Sequence, residues 1–143
     1  MILLVEDNPT DEALVLRAFK KINLSVKIIV VRDGAEAVDF IFYQGAYKDR
    51  DPRDVPQLIL LDMKLPKLSG LEVLRQIRAN EHTRLLPVIM LTSSREEQDL
   101  IESYRSGANS YVRKPIEYDQ FLEAIRELSL YWLIMNEPPP GTY

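Results

Sequence analysis

The sequence contains no cysteine and a single histidine, His82. The absence of cysteine excludes disulfide bonds, thiolate metal ligands and a cysteine nucleophile. His82 lies in the polar stretch Asn80-Glu81-His82-Thr83, which is typical of a surface loop. We therefore expect a solvated side chain there, not a metal ligand or a member of a catalytic triad.

Long apolar runs and clusters of basic residues are also missing. No run approaches the ~20 apolar residues needed to cross a bilayer, and no charged leader precedes the first apolar run, so we expect a cytoplasmic protein without a membrane partner. A net charge of −4 argues against nucleic acid as a partner. The 143 residues, 46% of them hydrophobic and 28% charged, suit one globular domain with a full core.

Short apolar runs alternate with amphipathic stretches along the chain. The runs predict five strands, at Ile2–Val5, Val26–Val31, Leu58–Asp62, Pro87–Thr92 and Ser110–Arg113. The stretches predict five helices, at Pro9–Lys21, Gly34–Phe42, after an N-cap at Ser69, at Ser94–Ser106 and at Tyr118–Met135. Five strand–helix repeats predict an α/β fold with a parallel sheet covered on both faces. We expect one domain over residues 1–135 and a proline-rich tail over residues 136–143.

Charged residues directly follow three of the predicted strands. Glu6 and Asp7 follow the first, Asp62 ends the third and Lys114 follows the fifth. Ligands of parallel α/β sheets bind beyond the carboxyl ends of the strands, so these side chains are predicted to meet at one site. Crowded carboxylates favour a bound cation, and hard oxygen ligands suit Mg²⁺. A purely structural alternative is that the acids cap helices, as Asp7 or Asn8 before Pro9 would do.

The same edge carries groups suited to phosphoryl transfer. A carboxylate such as Asp62 can act as a nucleophile toward phosphorus, provided that the charge on the phosphoryl oxygens is neutralised. Lys114 can bind one oxygen as a point charge on a flexible stem, and the hydroxyl of Thr92 can donate to another. Each residue is unremarkable alone, but together they predict a phosphoryl-transfer site.

Four segments, in this order, resemble the receiver domain of two-component response regulators. They are Leu4-Val5-Glu6-Asp7-Asn8, Leu61-Asp62-Met63-Lys64-Leu65-Pro66 with Ser69-Gly70, Leu91-Thr92-Ser93 and Lys114-Pro115. The resemblance covers about residues 2 to 130. It implies a doubly wound, flavodoxin-like fold with five helices and a five-stranded parallel sheet of order 2-1-3-4-5.

The resemblance also implies a role for each motif residue. Asp62 would be the phosphoacceptor, assisted by Thr92 and Lys114, and Mg²⁺ would be held by Glu6, Asp7, Asp62 and the backbone carbonyl of Lys64. Thr92 and Tyr111 would form the switch, Ser94 would tune hydrolysis, and Lys114-Pro115 would carry a cis peptide. The family often has asparagine where this chain has Lys64, but a carbonyl ligand does not depend on the side chain.

The chain has a long polar loop, Gln44–Pro56, and a C-terminal helix with a strongly apolar end, and this helix end points to a partner. Four apolar residues at helical spacing should face the sheet, namely Phe121, Ile125, Leu128 and Trp132. Five more leave almost no polar face at the end of the helix, namely Leu130, Tyr131, Leu133, Ile134 and Met135. This predicts a homodimer through the C-terminal helix, with a helix end tucked under its own loop as the alternative.

Three features resemble the small response regulators of cyanobacterial phytochrome histidine kinases. They are the helix ending Tyr131-Trp132-Leu133, the following Asn136-Glu137-Pro138-Pro139 and the long polar loop. That narrower resemblance implies a light-dependent histidine kinase as phosphodonor and a symmetric dimer. Since the chain ends soon after the receiver pattern, we expect a stand-alone signalling phosphoacceptor that acts through protein contacts and is not an enzyme.

Three other functions compete with this interpretation. A haloacid-dehalogenase-like phosphohydrolase generally carries a second aspartate two residues after its nucleophile, where this chain has Lys64. A pseudo-receiver that binds partners without phosphorylation is disfavoured because the acids, the threonine and the lysine are all present. Nucleotide binding is weaker still, because no glycine-rich phosphate loop follows the first strand.

Overall fold

The computed structural model describes residues 1–114 and 117–140. Its strands are β1 (Ile2–Val5), β2 (Ile28–Val31), β3 (Leu58–Leu61), β4 (Val88–Thr92) and β5 (Ser110–Arg113). Its helices are α1 (Pro9–Ile22), α2 (Gly34–Ile41), α3 (Gly70–Ala79), α4 (Glu97–Arg105) and α5 (Tyr118–Leu130). A 3₁₀ turn spans Gly45–Tyr47, and a π-helical segment, Tyr131–Met135, continues α5.

The strands form one parallel sheet in the order β2-β1-β3-β4-β5. This confirms the predicted doubly wound topology. The register aligns Val5 of β1 with Val31 of β2 and with Leu61 of β3. The carboxyl ends of these strands therefore lie at one level, and the residues that follow them are neighbours.

Alternate residues of the two central strands enter two separate cores, because successive side chains of a strand point to opposite faces. Leu3 of β1 and Ile59 of β3 pack with α2 and α3 on one face. Ile2 and Leu58 pack with α1 and α5 on the other. All of β1 and β3 is buried, as the continuous apolar runs predicted. Within residues 1–114 and 117–140, no helix is long and apolar enough to cross a membrane.

Several predicted boundaries differ from the observed ones. The helix predicted from Ser94 begins three residues later, at Glu97, because the Ser94 hydroxyl accepts from the Glu96 amide and donates to Asp99 within a turn. β2 begins at Ile28 instead of Val26, and Asp62 lies just beyond the end of β3. His82 is exposed, as expected.

Helix α3, which follows β3 in the chain, begins with a capping box. The Ser69 hydroxyl accepts from the Glu72 amide, and the Glu72 carboxylate accepts from the Ser69 amide. The next residue, Gly70, donates its amide to the Met63 carbonyl. A Cβ at Gly70 would lie 2.1 Å from the Asp62 carbonyl oxygen and 2.7 Å from Met63 Cα. The helix can approach the backbone of Asp62 this closely only with glycine at this position.

We expect Gly70→Ala to lower the free energy of unfolding by about 2 kcal/mol, because the backbone must move to relieve the overlap between the added Cβ and the Asp62 carbonyl. Urea denaturation monitored by circular dichroism measures the change. The matched control is Glu97→Ala, at the corresponding first position of α4, where the side chain is exposed. The control should change stability by no more than about 0.5 kcal/mol. Equal stabilities for the two variants would contradict the close-approach explanation.

Candidate phosphoryl-transfer site

The predicted site residues come together at the carboxyl edge of the sheet. Glu6 follows β1, Asp62 follows β3, and Lys114 follows β5. Backbone hydrogen bonds hold them in line with the strands, since the amides of Glu6, Asp62 and Lys114 donate to the carbonyls of Val31, Val5 and Thr92. The positions of these side chains are therefore set by the sheet itself.

Three carboxylates form the acidic part of the site. Glu6, Asp7 and Asp62 each offer an oxygen, and these oxygens lie within 4.8 Å of one another. Glu6 and Asp62 are buried, with 1% and 8% of their surfaces exposed, whereas Asp7 is exposed to solvent. Such a set of oxygen donors, open on one side, fits a hard divalent cation that keeps some of its waters.

Lys114 is the cation that the structure places against these acids. Its side chain is 9% exposed, and its ammonium donates to the carboxylate of Glu6. The same nitrogen lies 2.9 Å from Asp11 Oδ2 and 3.3 Å from Asp62 Oδ2. The Lys114 ammonium therefore contacts three carboxylates. Two belong to residues that follow strands β1 and β3, and the third belongs to helix α1.

Burial and the neighbouring charges shift two pKa values in this cluster. Burial raises the pKa of Glu6 to about 7, although its hydrogen bond to Lys114 acts in the opposite direction. Burial lowers the pKa of the Lys114 ammonium, but hydrogen bonds to Glu6 and Asp11 outweigh this effect, and the net direction is upward. Lys114 thus remains charged at neutral pH, while burial makes Glu6 costly to keep ionised without another cation.

Asp11 is a contact of Lys114 that the sequence pattern did not identify. It lies in the first turn of α1, whose N-cap is Asn8. The Asn8 side chain accepts from the amides of Thr10 and Asp11 and so fixes the start of the helix beside β1. An acid three residues after an N-cap at a strand end was the available signal, but it is common as a helix-dipole partner.

Thr92, the last residue of β4, is buried at the same edge of the sheet. Its hydroxyl oxygen accepts from the Ser94 amide at 3.3 Å. The Ser94 hydroxyl in turn donates to Asp99 Oδ2 of α4 at 2.5 Å, and the Tyr111 hydroxyl donates to the Ser94 carbonyl at 3.4 Å. Thr92, Tyr111 and the start of α4 are therefore joined through one residue.

Two further predictions concern residues at the rim of the site. Lys64, two positions beyond Asp62, has an exposed side chain that is not needed for packing. The predicted cis peptide between Lys114 and Pro115 involves a residue outside the described parts of the chain.

Comparison with known proteins gives a consistent result. A family model for the response regulator receiver domain matches residues 2–126. The response regulator Rcp1 of Synechocystis sp. is 38% identical over 133 residues, which cover 93% of this chain and 88% of Rcp1. The crystal structure of its Mn²⁺-bound form aligns with a TM-score of 0.87 at 36% identity, covering 96% of this chain and 97% of Rcp1.

Two further solved structures share the fold. The phosphorylated cyanobacterial phytochrome response regulator RcpA aligns with a TM-score of 0.88 at 34% identity, covering 96% of both chains. The bacteriophytochrome response regulator AtBRR is 51% identical, with a TM-score of 0.76, covering 95% of this chain and 96% of AtBRR. With the sheet order, the acidic edge and a family match over most of its length, this chain belongs to the response regulator receiver domain family.

Proposed function

We propose that Asp62 accepts a phosphoryl group from a histidine kinase and that the protein signals through the resulting change in its protein contacts. The observation that carries this proposal is the position of the Lys114 ammonium, 3.3 Å from Asp62 Oδ2 at the edge of the acidic cluster. A carboxylate at that place has a fixed cation beside it and two further carboxylates near enough to share a metal ion. Both cations are needed to neutralise an incoming phosphoryl group.

The metal in this proposal is Mg²⁺. Glu6, Asp7 and Asp62 would hold it, and the backbone carbonyl of Lys64 would complete the protein ligands. When bound, it would neutralise charge on the phosphoryl oxygens. The mixture of buried and exposed carboxylates supports Mg²⁺, which typically uses few protein ligands and retains several waters.

In the transfer step, an oxygen of Asp62 forms a bond to phosphorus as the P–N bond of the phosphohistidine breaks. The bonding electron pair goes to the imidazole nitrogen, which takes a proton from water. Lys114 neutralises one phosphoryl oxygen through its ammonium, and the Thr92 hydroxyl donates to another. The product is an acyl phosphate, and the protein promotes no other reaction than its own phosphorylation and dephosphorylation.

A small phosphodonor tests the proposal without the kinase. Incubation with acetyl phosphate and Mg²⁺ should add one phosphoryl group, read by intact mass as an increase of about 80 Da. In this case the P–O bond of acetyl phosphate breaks and acetate leaves with the electron pair. A parallel sample in EDTA should stay unmodified. Absence of the heavier species with saturating Mg²⁺ would overturn the proposal and favour a pseudo-receiver that binds partners without phosphorylation.

The output of phosphorylation would pass through Thr92 and Tyr111. Both contact Ser94, which also binds Asp99 in the first turn of α4. A shift of Thr92 toward a phosphoryl oxygen would stretch its contact with the Ser94 amide and disturb this network. Such a local change can move a surface element only if two packings are close in energy.

The proposed phosphodonor is a phytochrome-type histidine kinase. The support is similarity, since RcpA is a phytochrome response regulator and AtBRR a bacteriophytochrome response regulator. Phosphotransfer profiling against the histidine kinases of the source organism tests this partner. The phytochrome kinase should transfer fastest, and preferential transfer from a kinase of another sensor class would contradict the assignment.

We also propose that the protein forms a homodimer through its C-terminal helix. The sequence predicted five exposed apolar residues there, but Leu133 packs into the α1–α5 core. The other four form the C-terminal apolar surface, comprising Leu130, Tyr131, Ile134 and Met135 with exposed fractions of 37%, 49%, 62% and 74%. Several neighbouring exposed apolar side chains of this kind are typical of an interaction site.

Light scattering at micromolar concentration should give twice the mass of the 16.6 kDa chain. The double substitution Ile134→Glu, Met135→Glu should convert the protein to monomers, because association would bury two carboxylates. Tyr104→Glu is the matched control, since Tyr104 is an exposed aromatic residue of helix α4 and not of the C-terminal helix, and it should leave the dimer intact. A wild-type monomer in both phosphorylation states would refute the dimer.

A further inference from the structure

The Lys114 ammonium contacts one more carboxylate than the proposed transfer chemistry requires. An ammonium has three N–H donors, and Lys114 directs them to Glu6, Asp11 and Asp62. An arriving phosphoryl oxygen therefore finds no free N–H on this ammonium. One of the three carboxylates has to release its hydrogen bond before Lys114 can bind the phosphoryl group.

Asp11 is the carboxylate that loses least on release. Its side chain is 32% exposed, compared with 1% for Glu6 and 10% for Asp62. Water can take the place of the ammonium at an exposed carboxylate, whereas a buried one would be left without a partner.

Asp11 also affects where the ammonium lies in the resting protein. Lys114 Nζ is 2.9 Å from Asp11 Oδ2 and 3.3 Å from Asp62 Oδ2. Asp11 starts from helix α1, and its position there is fixed by the Asn8 cap. The ammonium is therefore held closer to the helix than to the proposed phosphoacceptor.

We propose that Asp11 is a positioning residue for phosphoryl transfer, which binds one N–H of Lys114 in the resting protein and releases it when a phosphoryl oxygen arrives at Asp62. This inference rests on the proposed function of Asp62. Asp11 competes with the phosphoryl group for Lys114 and so slows phosphorylation of the resting protein. Removing the competitor leaves an N–H of Lys114 free for the incoming group.

The test measures the rate constant for phosphorylation by acetyl phosphate in saturating Mg²⁺. Asp11→Ala should raise this rate constant about fivefold, the factor that corresponds to an ion pair of about 1 kcal/mol. Asp11→Asn retains a neutral acceptor and should give a smaller increase. The matched control is Glu12→Ala, which removes a neighbouring acid of the same first helical turn that binds Arg32 and not Lys114.

A second measurement separates positioning from a structural role or a general loss of charge. In a Lys114→Met background, Asp11→Ala should leave the rate constant unchanged, because the contact no longer exists. An unchanged rate in Asp11→Ala alone, an equal increase in Glu12→Ala, or the same increase without Lys114 would each overturn the inference. If wild-type protein takes up no phosphoryl group, the proposed function of Asp62 fails instead, so the two failures are distinguishable.

Discussion

Replacement of Asp62 by asparagine is expected to abolish formation of the acyl phosphate. The amide has the shape of the carboxylate but carries no charge and is a poor nucleophile toward phosphorus. Asp62 lies beside the Lys114 ammonium, and one of its carboxylate oxygens lies within 4.8 Å of an oxygen of Glu6 and an oxygen of Asp7. Loss of a nucleophile costs enzymes about 10⁴-fold or more in rate, so intact mass should show no increase of about 80 Da.

The control for this substitution is Asp51→Asn. Asp51 is an exposed aspartate of the polar loop whose carboxylate binds Arg53, and its loss should leave phosphorylation at the wild-type level. Thermal unfolding checks that Asp62→Asn still folds, which is expected because the substitution removes one of several crowded negative charges. A phosphorylated species of Asp62→Asn at the wild-type yield would place the acceptor on another residue and contradict the assignment.

The strands of the sheet were predictable because strands buried on both faces consist of apolar residues. β1 and β3 are buried on both faces, so every residue in Ile2–Val5 and Leu58–Leu61 is apolar. The strand order was implied by family resemblance, since apolar runs alone do not specify which strands are neighbours. The start of α4 could not be predicted, because it depends on the contact between Ser94 and Asp99, which forms only in the folded turn.

The acidic site was predictable for a topological reason. Parallel strands end at one edge, so the residues after β1, β3 and β5 had to lie along the same edge of the sheet. The set of carboxylates that the Lys114 ammonium contacts was not predictable. It depends on how closely the start of α1 lies to the end of β5 in the folded protein. Asp11 lies 2.9 Å from the ammonium, although no motif marks that residue.

Lys114→Met is expected to lower the free energy of unfolding in EDTA by about 3 kcal/mol, as when one partner of a buried ion pair is removed. The Lys114 side chain is 9% exposed, and its loss leaves Glu6 and Asp62 buried without their cation. Urea denaturation in EDTA measures the loss. The matched control is Lys27→Met, which removes a 64% exposed lysine paired with Asp54 at 3.6 Å and should cost less than about 1 kcal/mol.

Magnesium should reverse much of this loss, and the comparison with wild type makes the prediction specific. A ligand that binds only the folded state stabilises it more as its affinity rises, and Lys114→Met removes a cation that competes with Mg²⁺ for the same carboxylates. Saturating Mg²⁺ should therefore raise the stability of Lys114→Met more than that of wild type or Lys27→Met. An equal gain in all three proteins would mean that Lys114 and the metal do not share these acids. The site would then need a different account of how its negative charge is balanced.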